Sequence, residues 1–540
     1  MKSKILMGCV LASTLFTTSC SDYLTEDPKG QLTPQTFFTN QKELDMSVYA
    51  LYAQVDATQA YTNMQIPQWQ GDDLTTHPAS NKDAYREFDR SHPGDSNKGL
   101  ESCWKQHYNL IKACNYVLEN AAKTPTAQEE INIATGQAKY WRAYSYFTLV
   151  RIFGPLPLVE STEIKYDTPL TSVEDVYAAI VKDLTDCISI LPASYSATPR
   201  AAYGADIYIT KQASQATLAA VYMAMAGYPL NKGTEYYKLA AAQAKAVIDA
   251  NATYKFILEE DYSKVYAPSH NYSKETVVGI SYNKLGGWGT EGSQLTACQL
   301  TQGAGWNDGL GEINFWKNMP EGARKDGTYS KKILLGNKAD GNLVNWYDLD
   351  KDGNKCVAVY HPQFCIFLVG AANATYDYGA DYADYDYTKP ASGNMINGAR
   401  HRIIRYSEVL LWYAEAQARG DGTPNAMAKE CLKRVRDRAG YNAPMPSDAD
   451  FADAVAMEHG WEIAGNWCAL VTRRADQLRL NTLKNAFELR KANAAIVVGE
   501  QDGKPITAKE EIEITEGWND NMIYAPYPAS DSALNPNLKR

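Results

Sequence analysis

The sequence predicts a mainly α-helical fold: an irregular helical-repeat scaffold with a loop-rich insertion that contains short β segments. Apolar residues recur at helical spacing through the first half of the chain, as at Leu44, Val48 and Leu51. Breakers such as Gly154-Pro155 end the helical stretches. From about residue 255 to 400, Gly, Asn, Asp and aromatic residues dominate instead, and helical spacing then returns.

The periodic stretches predict the individual helices. We expect them over residues 41–57, 102–121, 127–152, 173–191, 210–227, 233–250, 403–419 and 424–438. Ser172 and Asn425 are suitable N-caps, and Pro192 and Gly440 follow helix ends. Paired helices with small residues at their crossings are typical of a tetratricopeptide-like solenoid, although no strict repeat of about 34 residues is visible. Such a scaffold normally presents contact surfaces.

The N-terminus predicts export and a lipid anchor. A short basic start precedes the apolar run Ile5–Phe16, and small residues then lead to Cys20. This order indicates a secretory signal, and the run is shorter than the roughly 20 apolar residues that span a bilayer. The residues before Cys20 are similar to a lipobox, in which cleavage precedes a cysteine that receives a diacylglycerol, although Thr17 stands where Leu is usual. The alternative is an ordinary secretory signal with an incidental cysteine.

These observations divide the chain into five segments. They are a signal peptide at 1–19, a lipid-anchored N-terminal segment at 20–40, a helical scaffold at 41–255, a loop-rich insertion with ligand-binding loops at 256–400, and C-terminal helices with a loop-like tail closing onto the scaffold at 401–540.

The charge balance excludes one class of partner. The chain has 53 Lys and Arg against 63 Asp and Glu, and removal of residues 1–19, which include Lys2 and Lys4 and no acid, takes the net charge from −10 to −12. Nucleic-acid phosphates need a basic face, so we expect no nucleic-acid binding. The cysteines show no metal-type clustering, and a Cys356–Cys365 disulfide is left open.

Aromatic residues suggest a ligand class. Tyr occurs 37 times against 12 Phe, with 11 Trp besides. Tyr and Trp suit surfaces where an apolar face meets a polar edge, as on a sugar, although general use of Tyr in an exported protein is the alternative. Three stretches combine aromatic and polar groups, and they supply the candidate ligand-binding residues Trp69, Asp72, Asp73, Arg86, Trp288, Trp306 and Asn307. For each Trp, the alternative is a core position beneath a loop.

Metal and catalytic motifs are poorly supported. Asp348, Asp350 and Asp352 have the spacing of an EF-hand loop, but Val359 stands where a bidentate acid is required. Calcium is therefore a weak candidate, and we otherwise expect no cofactor. No G-x-S-x-G or H-E-x-x-H motif occurs, and the carboxylates are too numerous to identify a glycosidase pair.

Ordered motifs along nearly the whole chain add a family signal. They are Cys20–Pro28 with Thr36-Phe37-Phe38; Trp104, Tyr108, Ile111 and Asn115; Arg142–Phe147 with Phe153–Val159; Arg405–Ala416; Val435–Gly440; and Leu534–Asn537. The ordered set resembles the SusD/RagB family of outer-membrane nutrient-binding lipoproteins. Glu458–Trp467 departs from the family's arginine-rich helix, so we expect this segment to pack differently.

The resemblance implies a function. Such proteins lie on a SusC-like TonB-dependent outer-membrane transporter, face the outside of the cell, capture oligosaccharides for import and are not enzymes. Their binding residues come from loops after the first helix and from the inserted region, and the stretches around Trp69, Trp288 and Trp306 are similar to these in position. A peptide-binding member of the same import system is the alternative, and a glycoside hydrolase is a remote one.

Overall fold

The structure is a computed structural model, and it describes residues 37–60, 62–78, 80–197, 199–282, 306, 308–330, 332–334, 343–367 and 398–539. In this part of the chain, none of the helices combines the length and apolarity needed to cross a membrane.

The predicted mainly α-helical class is confirmed. The helices are α1 Gln41–Ala60, α2 Asp83–Asp89, α3 Lys98–Ala121, α4 Gln128–Phe153, α5 Val173–Ile190, α6 Lys211–Ala226, α7 Thr234–Asp249, α8 Asn251–Tyr254, α9 Ile313–Asn318, α10 Ala323–Thr328, α11 Tyr406–Asp421, α12 Ala426–Ala439, α13 Phe451–Glu462, α14 Arg473–Arg479, α15 Leu483–Ala492 and α16 Ala529–Leu534.

Local sequence explains where the helices begin and end. The Ser172 hydroxyl accepts a hydrogen bond of 3.1 Å from the backbone N–H of Asp175, and the Asn425 side chain accepts one of 2.8 Å from Ala428. Both bonds satisfy N–H groups that lack a partner in the first helical turn. Gly440 ends α12 with a φ of +70°, a conformation that glycine adopts without steric cost. The predicted caps are therefore confirmed.

The long helices pack as a continuous series of neighbours. Helix α1 contacts α3, each of α3 to α6 packs on the next, α7 then packs on α11, and α11 packs on α12. One hydrophobic core contains residues from Phe38 to Leu538. The scaffold predicted at 41–255 and the C-terminal helices therefore share a single core.

The strands are short and lie in two-stranded antiparallel pairs. They are β1 Leu74–Thr75, β2 Leu156–Pro157, β3 Leu170–Thr171, β4 Ala201–Ala202, β5 Ala205–Asp206, β6 Thr276–Ile280, β7 Leu310–Gly311, β8 Ile333–Leu334, β9 Leu343–Val344, β10 His401–Arg405, β11 Ile496–Gln501 and β12 Lys504–Ala508. Pairing of β6 with β10 joins the two ends of the predicted insertion. The insertion therefore leaves the scaffold and returns to it at one place.

The predicted loop-like tail is corrected by the structure. Strands β11 and β12 form a hairpin whose turn has positive φ at Asp502 and Gly503. Buried side chains of this hairpin, such as Val498 and Ile506, join a second small core with Trp346 and other insertion residues. The tail is ordered because its alternating apolar residues have this partner. Cys356 and Cys365, also in the insertion, are free thiols.

A cluster of buried charges lies where the insertion, β10 and the C-terminal helices meet. We call it the buried Arg–Glu cluster, and it consists of Arg324, Arg405, Arg436, Arg438, Glu275, Glu458 and Glu462. Arg405 Nη1 lies 2.7 Å from Glu462 Oε1 and 3.2 Å from Glu275 Oε1. Arg324 Nη2 lies 2.6 Å from Glu458 Oε1. The cluster joins β10, α10, α12 and α13 through bonds that only a correctly assembled fold can make.

Glu462 is the carboxylate with the most arginine neighbours in this cluster. Burial alone would disfavour its charged form, but the guanidinium groups of Arg438, Arg405 and Arg324 outweigh burial and lower the pKa of Glu462 to about 2. Removal of one member from a buried ion pair leaves an uncompensated charge, which typically costs about 3–5 kcal/mol.

We expect Glu462→Gln to lower the free energy of unfolding at neutral pH by about 3 kcal/mol. Because the pKa of Glu462 is lower in the folded state than in the unfolded state, its stabilisation is present above the unfolded pKa and is lost as pH falls toward 2. Urea unfolding at pH 6.5 and pH 3.5 should therefore show the gap between wild type and variant narrowing by about 1.5 kcal/mol. Glu488→Gln, at an exposed position of α15, is the control and should leave the free energy of unfolding unchanged at both pH values. A gap independent of pH would contradict this account.

Candidate ligand-binding surface

Two short strands bring together the stretches that contain Trp69 and Trp306. Strand β1 pairs antiparallel with β7, with Leu74 opposite Gly311 and Thr75 opposite Leu310. The backbone N–H of Glu312 extends the pairing by donating to the Asp73 carbonyl at 3.2 Å. Segments more than 200 residues apart thus form one surface.

Trp306 is the candidate residue that this surface presents to solvent. Its side chain is 41% exposed, although Trp is a residue type that is mostly buried. Two residues later, the buried Asp308 forms an ion pair with Lys82, and the Tyr85 hydroxyl donates to Asp308 Oδ2 at 3.4 Å. Burial raises the pKa of Asp308, and the Lys82 ammonium opposes that rise. Asp308, two residues after Trp306, is therefore held at a defined position.

Trp69 lies in the core, which corrects its prediction as a ligand-stacking residue. Its side chain has no exposed surface, and its indole N–H donates to the Thr75 carbonyl at 3.2 Å. Its ring centroid lies 5.4 Å from that of Trp467. A Cβ at Gly309 would come within 3.1 Å of both indole rings. Trp69 therefore has no free face for a ligand, and instead supports the Trp306 segment from below.

Asp72 and Asp73 also have structural partners. Arg473 donates to the Asp72 carboxylate through Nε at 2.6 Å and Nη2 at 3.1 Å. Asp73 Oδ2 accepts from the Gly465 N–H at 3.2 Å. Burial, with a further contribution from Asp72, raises the pKa of Asp73 to about 7. The prediction that Asp73 faces a ligand is corrected, because its buried carboxylate fixes β1 against the C-terminal segment. Asp72 also contacts that segment, but its side chain is 25% exposed, so its role in ligand binding stays a prediction.

The remaining candidates divide into one that the structure places and two that it does not describe. Arg86 lies on α2 and forms an ion pair with Asp83 one turn earlier, and burial lowers the pKa of Arg86. Trp288 and Asn307 lie outside the described residues, as does Cys20. Their roles stay predictions.

The calcium candidate is not supported by the side-chain geometry. Asp350 Oδ1 accepts from the backbone N–H groups of Asp352 and Asn354, both at 2.9 Å, and the Asp348 carboxylate accepts from Asn345. The two carboxylates each stabilise a local turn. Among the residues that the structure describes, no three His, Cys, Asp or Glu side chains are grouped so that they could hold a metal ion.

Sequence reasoning missed the residues that position Trp306. Lys82, Tyr85 and Trp467 lie on different elements, and Lys82 is separated from Asp308 by 226 positions. No local pattern links residues so far apart. Gly309 was the available signal, since glycine allows a close approach of backbone to another group.

Comparisons with known proteins agree with this architecture. A family model described as "Starch-binding associating with outer membrane" matches residues 22–223, and a model of the SusD family matches residues 369–540. A SusD-like protein of Bacteroides ovatus is 24% identical over 100% of this chain and 97% of its own length. SusD-like protein P2 of Formosa agariphila is 26% identical over 81% of this chain and 82% of its own length.

Solved structures show the same fold. A SusD homolog from Bacteroides thetaiotaomicron superposes with a TM-score of 0.76 at 20% identity, covering 93% of this chain and 97% of that chain. A structure with xylogluco-oligosaccharide has a TM-score of 0.69 at 21% identity, with 92% and 98% covered. A laminarin binding SusD-like protein has a TM-score of 0.66 at 18% identity, with the same coverage of 92% and 98%. The chain belongs to the SusD/RagB family.

Proposed function

We propose that this protein is a glycan-binding lipoprotein of the cell outer membrane that faces the outside and captures oligosaccharides. The observation that carries the proposal is Trp306, an exposed indole on a segment fixed by the Lys82–Asp308 ion pair and by the Trp69 and Trp467 rings beneath Gly309. Trp288 and Asn307 are further candidate contacts.

The chemistry of sugars favours such an arrangement. A pyranose has a flat apolar face that can stack on an indole, while its hydroxyl groups need polar partners at the edge. The contacts at Asp308 and Gly309 hold the backbone close to Trp306, so less backbone freedom is lost on binding and more of the stacking energy contributes to affinity. Relatives of the same fold include one solved with xylogluco-oligosaccharide and one that binds laminarin, which supports a glycan as the ligand class.

The proposed partner is a SusC-like TonB-dependent transporter, which would receive the captured oligosaccharide. Family membership supports an outer-membrane association, and a lipid on Cys20 would keep the protein near the pore. We propose binding without turnover, since several acids near Trp306, such as Asp72 and Asp308, are engaged in ion pairs that hold the fold.

Trp306→Ala should weaken binding of a glycan that wild type binds by at least about tenfold, or about 1.4 kcal/mol. The reason is loss of the stacking face, and the melting temperature should stay unchanged because the side chain is 41% exposed. A glycan array identifies a glycan that wild type binds, and titration calorimetry then measures the affinity of both proteins for it. Tyr166→Ala, which removes another exposed aromatic side chain, is the matched control and should bind as wild type. Equal affinity of Trp306→Ala and wild type, or release of reducing ends from the glycan by purified wild type, would overturn the proposal.

Cys20→Ala should move the protein from the membrane fraction to the soluble periplasmic fraction. The substitution removes the thiol that would carry the acyl chains, and no helix in the part of the chain that the structure describes is long and apolar enough to replace them in a membrane. Cys9→Ala, within the apolar run of the signal, is the matched control and should remain in the membrane fraction. Fractionation with immunoblotting measures the distribution, and membrane retention of Cys20→Ala would contradict the lipid anchor.

Affinity purification of the anchored protein from gently solubilised outer membranes should yield a SusC-like transporter in stoichiometric amount. We expect this co-purification because capture and import need both proteins at one place. Mass spectrometry identifies the co-purified proteins, and an unrelated outer-membrane lipoprotein purified in parallel is the control. Recovery of no transporter above that control would contradict the partnership.

A further inference from the structure

A second cleft lies among residues that take no part in the surface around Trp306. It has a volume of about 150 Å³. Since about 10–15 Å³ of such space is enough for one water molecule, the cleft can hold several waters or part of a small ligand. Its lining includes Ser194, Tyr195, Asp206, Tyr254, Phe256 and Lys274. We call it the Tyr195 cleft.

The hairpin of β4 and β5 forms one wall of this cleft and has an unusual residue at its tip. Tyr203 is 81% exposed, the highest fraction among the large hydrophobic side chains that the structure describes. Its φ is +52° and that of Gly204 is +79°. Two-residue hairpin turns with positive φ at both positions favour Asn-Gly, and a bulky residue there is strained. A Tyr at this position is therefore costly for the turn, which points to a use for its ring.

Tyr203 is not isolated, because its ring stacks on Tyr272. The two ring centroids lie 4.7 Å apart with an interplanar angle of 30°. Arg400 lies beneath this pair, with its guanidinium carbon 5.3 Å from the Tyr272 ring centroid. Arg400 Nη2 also donates to the Asp206 carbonyl at 3.4 Å, which ties the hairpin to the same support. The stacked pair is thus an aromatic platform with a fixed base.

Polar groups inside the cleft match the hydroxyl edge of a sugar. The Asp206 carboxylate accepts from the Tyr195 N–H at 2.6 Å and from the exposed Ser194 hydroxyl at 3.1 Å. A carboxylate offers about four acceptor positions, so Asp206 can accept further bonds from a ligand. The exposed Lys274, which also lines the cleft, adds a donor. A peptide bound by strand addition would need a longer free sheet edge than the two-residue strands β4 and β5 provide.

We propose that the Tyr195 cleft and Tyr203 form a second carbohydrate-binding subsite, separate from the surface around Trp306. One sugar ring enters the cleft and bonds to Asp206 and Lys274, and the next ring of the same chain stacks on Tyr203. The proposal rests on the proposed glycan-binding function. Two subsites on one scaffold would raise the avidity for a polysaccharide that reaches both.

The test uses the full mature chain on a glycan array that includes laminari-oligosaccharides and xylogluco-oligosaccharides, with titration calorimetry of the glycans that wild type binds. Tyr203→Asn removes the ring and installs the residue that the turn favours, so its melting temperature should equal or exceed that of wild type. We expect Tyr203→Asn combined with Trp306→Ala to bind at least tenfold more weakly than Trp306→Ala alone. Tyr166→Ala combined with Trp306→Ala is the matched control and should add no loss.

The outcomes separate the two proposals. If wild type binds no glycan on the array, both the proposed function and the subsite fail. If wild type binds and Trp306→Ala weakens binding, while Tyr203→Asn changes nothing in either background, the subsite alone is overturned. If wild type binds a peptide on a parallel peptide array and the Tyr203→Asn variant does not bind that peptide, the assignment of this cleft to carbohydrate is overturned.

Discussion

The rest of the structure depends on the buried Arg–Glu cluster. Its four arginines come from three elements and converge on three glutamates, so each charge is compensated only when α10, α12, α13 and β10 are all in place. Buried ion pairs contribute little net stability compared with apolar packing, but a missing partner is expensive. The cluster therefore selects one arrangement of the helices over near alternatives. It also fixes Glu275 and Arg405 at the two strands where the insertion leaves and returns.

The surface around Trp306 also depends on contacts between distant elements, and here aromatic rings make most of these contacts. The Trp69 and Trp467 indoles lie against Gly309, and the Lys82–Asp308 pair closes the contact on one side. The polar and aromatic groups that sequence reasoning assigned to a ligand thus form two layers. Trp306 is in the outer layer, whereas Trp69, Asp72 and Asp73 are in the layer that supports it.

Local chemistry made the scaffold predictable. Caps such as Ser172 and Asn425, helix-ending residues such as Gly440 and the spacing of apolar residues all act within a few positions, and each was readable from the sequence. The exposure of a Trp is not local. Trp69 and Trp306 both occur in polar, loop-like stretches, and only the pairing of β1 with β7 decides which ring is covered. Tyr203 was overlooked for a similar reason, because a Tyr before a Gly carries no turn signal.

The return of the insertion through β6 and β10 has an evolutionary consequence. Both of its ends are fixed at one small sheet on the scaffold, but residues between them also hold the core, as Arg324 does in the buried Arg–Glu cluster and Gly309 does against Trp69. Recognition and folding are therefore under joint selection at these positions. A lineage facing a new polysaccharide could change specificity at low cost only where the inserted side chains make no contact with the core.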